Sequence, residues 1–562
     1  MSAVLRPAGA APAVREAPAF EAVAELLAEL GADVVFSLLG SGNFLLVQRM
    51  VSRHGVAHRW ARHEAGVVAM ADGWARATGR VGVCTLHQGP GLTNAVTALT
   101  EAAKAHTPLL VVVGDSSTTG TNLDNQRIDQ EAFVRATGAG VERVLRGASA
   151  LVQTRRAWVR AATERRPVVL VLPIDVQRET CRTGGGVVLP EPSTTVPHEG
   201  ALRRAADLLA AAQRPLVLAG RGAFGPGAED AVLALGDRLG ALFATTALGK
   251  GLFAGSPWCV GISGGFASPR ARELIAQADL VVSVGATLNG WTTQKDQVIG
   301  AGVPLITVND DPAALAGHRT PDLALIGDAG ATAAALSALL GPGGDVATGW
   351  RTRLDASHVS DPGWDLVYEG SATTIDPREV LVELDALLPS PRTVVTDSGR
   401  YVGWVAMHVG VDQPRSFVFT QAFMSLGLGL ASGLGAAVGR PGAFPMVVTG
   451  DGGLFMNLGE LDSLAAQGDP VLVVVMDDGA YGAEVHLFGP RGEPTDLVEF
   501  GTRDFAGIAR ALGGRAAVVR SRADMAGEFA DWLRAPAGLF LLDCKVDGRV
   551  EETWSAHVFG DH

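Results

Sequence analysis

Gly450-Asp451-Gly452 closes the apolar run Pro445-Met446-Val447-Val448-Thr449, and Asp477-Asp478-Gly479 closes a second run, Pro470-Val471-Leu472-Val473-Val474-Val475-Met476. Both runs are rich in β-branched residues and bounded by turn formers, so both read as buried parallel strands. Residues 457–467, between them, have the length and periodicity of a crossover helix. A right-handed strand–helix–strand unit sets the two strand ends side by side at the carboxyl edge of the sheet, where ligands of open α/β sheets bind. Asp451 and Asp478 then converge beside glycine backbone. That chemistry suits a hard cation carrying a diphosphate, because magnesium takes one or two carboxylates and completes its octahedron with phosphate oxygens and water. A lone Gly-Asp-Gly could equally close a turn or cap a helix; the pairing and its spacing carry the stronger reading.

The paired motif resembles the cofactor signature of thiamine-diphosphate enzymes, in which Gly-Asp-Gly is followed at this distance by Asn-Asn. The resemblance implies Asp451, Asp478 and the carbonyl of Ala480 as magnesium ligands, with Gly450, Gly452, Gly453 and Tyr481 also around the cofactor. Asp477-Asp478 stands where the family has two asparagines. Two carboxylates beside a diphosphate imply added repulsion, which bears on metal affinity rather than metal identity.

Arg62-His63-Glu64-Ala65-Gly66 opens a helix whose face reads Val67, Met70, Ala71, Trp74. By itself Glu64 is a first-turn acid interacting favourably with the helix dipole. With the continuation Gly73-Trp74-Ala75-Arg76, the segment resembles the family's activating-glutamate helix. The resemblance implies that Glu64 bonds to the aminopyrimidine and so promotes loss of the proton from C2 of the thiazolium, a task served by burial and a raised pKa. It also implies that Glu64 and the diphosphate site of one active centre come from different subunits, hence a homodimer or homotetramer. In Ser425-Leu426-Gly427-Leu428-Gly429, Leu426 matches the apolar wedge between the cofactor rings, and the Met424 carbonyl matches the acceptor for the aminopyrimidine. Read alone, Leu426 is a core leucine.

Three further side chains could choose the reaction. His87, before Gly89-Pro90-Gly91, is either a structural histidine at a glycine-rich turn or, by its resemblance to benzoylformate decarboxylase, a proton relay. Gln126 aligns with a glutamine that contacts the substrate in acetolactate synthase and benzaldehyde lyase; Gln130 competes for that place, and a solvated loop amide is the alternative. Glu484, six residues after Asp478, matches the offset of a catalytic glutamate in pyruvate and indolepyruvate decarboxylases, with His486 behind it. The overall frame resembles acetolactate synthase while His87 and Glu484 resemble decarboxylase groups. Either way the implied chemistry is cleavage or formation of a bond to a carbonyl carbon, with the cofactor as electron sink and a 2-oxo acid, aldehyde or acyloin as substrate.

The elements that position these groups fall into three α/β blocks. Strands are expected at 34–39, 81–86, 109–114 and 168–172 in the first, with helices at Glu64–Thr78 and 94–105. A linker follows at 183–197. The second block carries strands at 216–219, 280–284 and 305–308, and the pattern breaks again at 341–349. The expected fold is α/β, with three doubly wound parallel-sheet domains at 1–182, 198–340 and 374–562. They match the pyrimidine-binding, central Rossmann-like and diphosphate-binding domains of the resembled family. A chain of 562 residues is too long for one core. The net charge of −13 argues against nucleic acid as a partner.

Four scattered cysteines without a C-x-x-C argue against a disulfide framework or zinc site. No apolar run is long enough to span a membrane, and the first eighteen residues lack a signal-peptide core, so a cytoplasmic setting is expected. Two rival classes remain. Gly220-Arg221-Gly222-Ala223-Phe224-Gly225 satisfies the G-x-G-x-x-G of a FAD- or NAD-dependent oxidoreductase, but no strand-terminal acid follows to hold a ribose. The Asp-Asp change gives some footing to a non-catalytic homologue, whereas Glu64 and Asp451 oppose it.

Overall fold

The computed structural model describes residues 14–184, 194–315, 318–340, 349–552 and 554. Valine- and leucine-rich runs form strands that assemble into three six-stranded parallel sheets covered by helices. In spatial order the first is Ala57–Trp60, Val34–Ser37, Gly82–Leu86, Leu109–Asp115, Pro167–Pro173 and Gly140–Arg143. The second is Cys259–Ile262, Leu242–Thr245, Pro215–Ala219, Leu280–Val284, Leu305–Asn309 and Leu323–Ile326. The third is Phe417–Phe419, Arg392–Thr396, Phe444–Gly450, Val471–Asp477, Leu539–Lys545 and Arg515–Val519. Each expected strand coincides with an observed one. Most of both expected breaks (185–193 and 341–348), and residues 1–13 of the N-terminal stretch, lie outside the described residues.

Two helices differ from expectation. The segment 94–105 is divided into Pro90–Asn94 and Val96–Lys104, which meet at Ala95. The crossover after Gly450 begins with Asp451 itself, as Asp451–Met456, and resumes as Gly459–Gln467. Asn457 breaks it because its backbone leaves the helical region, while its side-chain amide donates to the Gly427 carbonyl at 2.9 Å. An acid in the first turn of such a helix is favoured by the exposed amides there.

The helix Glu64–Thr78 is buried along most of its length and lies against Gly429–Gly439 of the third domain. Val67, Met70 and Trp74 share one apolar core with Leu430, Leu434 and Val447. The crossing is so close that a Cβ on Gly73 would stand 2.0 Å from the Ser432 carbonyl oxygen, and one on Gly435 would stand 1.8 Å from that of Met70. Gly73→Ala should therefore cost about 1–3 kcal/mol through overpacking, read as a lower midpoint in urea; an unchanged midpoint would mean that the two helices can part freely. Beside this crossing, buried Arg76 pairs with Asp72 at 2.8 Å and Glu101 at 2.9 Å. Glu101 also accepts from the Ala422 and Phe423 amides, which fixes the loop leading to Met424 and Leu426.

Candidate active site

Gly450 and Met476 are register partners on adjacent parallel strands, so the two aspartate loops leave the sheet together. Asp451 is buried and staples them: one carboxylate oxygen accepts from the Gly452 amide at 2.7 Å, the other from the Gly479 amide at 2.8 Å. Burial, then the charges of Asp478 and Asp477, push its carboxyl up to about 8. A buried carboxylate with acidic neighbours lacks a counter-charge, and a divalent cation would supply it. Among the described residues no cluster of three or more His, Cys, Asp or Glu side chains could hold a metal. The adjoining cleft is lined by Gly450, Asp451, Gly452, Gly453, Ala480 and Tyr481 and also by Met424, Leu426 and Glu484. The donor set and the glycine-lined cleft fit a magnesium-bound diphosphate.

Two cations oppose the repulsion expected from Asp477-Asp478. Asp477 turns away to Lys545, whose ammonium lies 2.6 Å from it and 2.8 Å from Asp543. Asp478 accepts from the Arg400 guanidinium at 3.0 Å. Its carboxyl is still raised by burial, with the Tyr401 hydroxyl and then Arg400 opposing.

The Met424–Leu426 turn is shaped by Asp397 at the end of Arg392–Thr396. Its carboxylate accepts from the Ser398, Gly427 and Gly429 amides and from the Thr449 hydroxyl. Met424 adopts a left-handed backbone (φ 59°) and Gly427 follows at φ 89°, which projects Leu426 from a tight turn. A left-handed methionine is an uncommon, strained conformation of the kind that clusters at ligand sites.

Glu64 sits half-buried at its helix N-terminus and accepts from the Asn94 side-chain amide at 3.0 Å. A Cβ placed on Gly91 would touch both the His87 Cβ (3.2 Å) and the Glu64 carboxylate (3.7 Å), so the two side chains flank one glycine. His87 Nδ1 accepts from the Gly42 amide at 3.1 Å. The ring proton of neutral His87 is thereby placed on Nε2, which donates to Gln126 Oε1 at 3.0 Å. Of the two competing glutamines, Gln126 reaches His87, whereas buried Gln130 is engaged by the Gly89 amide and the Gly114 carbonyl. Glu484 lies in the first turn of Gly482–Phe488, and His486 donates to the Gly548 carbonyl at 2.7 Å. Glu64, His87 and Gln126 do not line the cleft that holds Asp451 and Glu484.

Residues 18–133, 202–336 and 397–544 match the family described as thiamine pyrophosphate enzyme, in its N-terminal TPP binding, central and C-terminal TPP binding domains respectively. The chain belongs to the thiamine pyrophosphate enzymes. Among its relatives are the probable 2-ketoarginine decarboxylase AruI of Pseudomonas aeruginosa (32% identical over 517 residues, 88% of each chain) and the sulfoacetaldehyde acetyltransferase of Castellaniella defragrans (30% over 538 residues, 90% of this chain and 89% of the relative). The acetolactate synthase large subunit of Parasynechococcus marenigrum is 28% identical over 543 residues, covering 92% of this chain and 85% of the relative. As a thiamine pyrophosphate enzyme the protein is a carboligase or decarboxylase of that class.

In this thiamine pyrophosphate enzyme the G-x-G-x-x-G of the central domain serves packing. A Cβ on Gly220 would lie 2.5 Å from the Gly285 carbonyl oxygen, and one on Gly222 would lie 2.6 Å from the Gly285 Cα. The glycines let two strand ends touch, and after a single 3-10 turn at Arg221–Ala223 the next α-helix starts only at Ala228. No helix of the described residues is long and apolar enough to cross a membrane. Sequence reasoning missed Arg400, Asp397 and Asn94. The first two follow Val394-Val395-Thr396, an apolar run whose end lies beside the Gly-Asp-Gly strand, and that run was the available signal.

Proposed function

We propose that the enzyme uses thiamine diphosphate with magnesium to decarboxylate a 2-oxo acid. The retained acyl carbon goes either to a proton, giving an aldehyde, or to a second carbonyl, giving an acyloin-type product. The observation that carries this reading is the pair Asp451 and Asp478, whose side chains are buried at adjacent strand ends in a chain of this family. Relatives named as a decarboxylase, an acetyltransferase and acetolactate synthases support a 2-oxo acid or aldehyde as substrate. When bound, the cofactor supplies the nucleophilic carbon and the electron sink.

The chain's own residues do the rest. Asp451, Asp478 and the Ala480 carbonyl hold the cation, with Gly450, Gly452, Gly453 and Tyr481 around the diphosphate. Leu426 and the Met424 carbonyl set the ring geometry, and Glu64 holds the proton that activates the cofactor. His87, held by the Gly42 amide and Gln126, donates its Nε2 proton to the developing oxygen of the substrate when that oxygen takes the place of Gln126 as acceptor. Glu484, exposed to the cleft, delivers or removes the later proton.

The active centre forms between two copies in a homodimer or homotetramer. Glu64 does not line the cleft that holds Asp451 in one chain, and Phe423, Met424, Phe455 and Met456 leave apolar surface exposed that a second copy would cover. We further place the enzyme in the cytoplasm, where its four free cysteines stay reduced. Purified protein with thiamine diphosphate and magnesium should convert at least one member of a panel of pyruvate, longer, aryl and guanidino 2-oxo acids, with products identified by mass. Aldehyde marks decarboxylation to a proton, and acyloin marks carboligation. No carbon dioxide from any 2-oxo acid, with or without aldehyde acceptors, would overturn the reading.

A further inference from the structure

Arg400 is almost fully buried and reaches three acceptors at once. Nη1 donates to Asp478 Oδ2 at 3.0 Å and to the Gly548 carbonyl at 2.9 Å, and Nη2 donates to the Val550 carbonyl. The Arg400 and Asp478 side chains are each 2% exposed, so water does not screen the pair. Gly482 leaves room for it: a Cβ there would lie 2.6 Å from Asp478 Oδ2 and 3.0 Å from Arg400 Nη1.

We propose that Arg400 is a positioning residue of the metal loop, and that the Arg400–Asp478 ion pair does the work of the neutral asparagine found in the family motif. This rests on the magnesium–diphosphate reading of the site. The charge balance supports it. An arginine–aspartate pair is neutral, as an asparagine is, so Asp451 remains the net negative charge offered to the cation. The atoms support it too. Asp478 Oδ2 is engaged by the guanidinium and Oδ1 accepts the Ala480 amide at 3.3 Å, with the Tyr401 hydroxyl also beside the carboxylate, so the guanidinium itself takes only one of the two oxygens.

An asparagine at position 478 has one oxygen and one NH2. Next to Arg400 it must either set NH2 against a guanidinium donor or turn its only oxygen away from the cation. Asp478→Asn, which moves the chain toward the family motif, is thus harmful while Arg400 is present. The same guanidinium, with His486, grips the 548–550 backbone, and beyond it Trp554 packs edge-on against Trp404 with ring centroids 5.2 Å apart. Arg400 therefore ties the metal loop to the 548–550 backbone.

The test is a double-substitution cycle on the full chain. Thiamine diphosphate binding at saturating magnesium is measured by calorimetry, with tryptophan emission and urea midpoints recorded for each unliganded protein. Loss of a buried charge-assisted hydrogen bond corresponds to an affinity loss on the order of tenfold or more. Asp478→Asn should weaken binding by that amount, and Arg400→Gln should weaken it and shift tryptophan emission. The double variant should bind more tightly than Asp478→Asn alone, and Arg400→Lys should bind more tightly than Arg400→Gln. Parent-like affinity in Asp478→Asn, or effects that simply add in the double variant, would overturn the proposal. Should Arg400→Gln fail to fold, the near-isosteric Asp478→Asn decides alone, since parent-like binding sinks the idea. A parent protein that binds no thiamine diphosphate overturns the functional reading as well, whereas a binding parent with additive effects overturns only the role of Arg400.

Discussion

Asp451→Ala should abolish detectable binding of thiamine diphosphate with magnesium, a loss on the order of a hundredfold or more, since even groups outside the coordination sphere cost 10–100-fold in metal affinity. Two effects combine. The alanine removes the carboxylate read as the first cation ligand, and it unties the Gly479 loop, whose amide the carboxylate holds at 2.8 Å. Asp451→Asn separates them, because its amide oxygen can still accept one backbone donor while the charge is gone.

The same pair yields a stability test whose sign follows from proton linkage. Burial, and then the nearby Asp478 and Asp477, push the folded carboxyl of Asp451 up to about 8, against about 3.9 in an unfolded chain. The folded state thus holds a proton that the unfolded state has lost, and the contribution of Asp451 to stability falls as pH rises between those values. Asp451→Asn cannot ionise. Without metal or cofactor it should melt above the parent at pH 8, with the difference shrinking toward pH 4. Calorimetry in which Asp451→Ala binds cofactor as well as the parent does would refute the metal assignment. A parent and an Asp451→Asn variant melting together at pH 8 would refute the charge strain.

Much of this arrangement is visible in the linear chain because it depends on local pattern. Val447-Val448-Thr449 and Val473-Val474-Val475 are continuous β-branched runs, as two-sided burial in a parallel sheet requires. The spacing between them leaves room for one crossover, so the adjacency of Asp451 and Asp478 follows. Partnerships across long sequence distance are not encoded that way. Arg400 is 78 residues from Asp478, and Lys545 is 68 from Asp477. Nothing local tells which carboxylate turns to which cation, and the repulsion inferred from two adjacent aspartates omitted both partners. Helix breaks escape for a related reason. Asn457 ends its helix to serve the Gly427 carbonyl on another loop, which periodicity alone does not contain. The glycines of 220–225 fit a nucleotide fingerprint, yet their constraint is contact with Gly285 from a different strand.

Glu64→Gln should slow deprotonation of the bound cofactor at C2 by about 10²–10⁴-fold, the usual contribution of a positioned acid–base group, whatever the substrate. A glutamine keeps the size of the side chain and its bond with Asn94, now seen at 3.0 Å, but it cannot hold a transferable proton. His87→Ala should leave that exchange intact. Its Nδ1 is occupied by the Gly42 amide and so does not remove a proton from the cofactor, while its Nε2 proton, held by Gln126 in the unliganded site, passes to a substrate oxygen once that oxygen replaces Gln126 as acceptor. Turnover should therefore fall in both variants for different reasons, and Gln126→Ala should resemble a milder His87→Ala by releasing the ring. Hydrogen–deuterium exchange at C2, followed by acid quench and NMR, separates the two steps without any substrate. Exchange at the parent rate in Glu64→Gln would remove Glu64 from activation. Exchange that collapses in His87→Ala would mean that the two side chains flanking Gly91 act on the same proton, and the division between activating and substrate-facing groups would have to be abandoned.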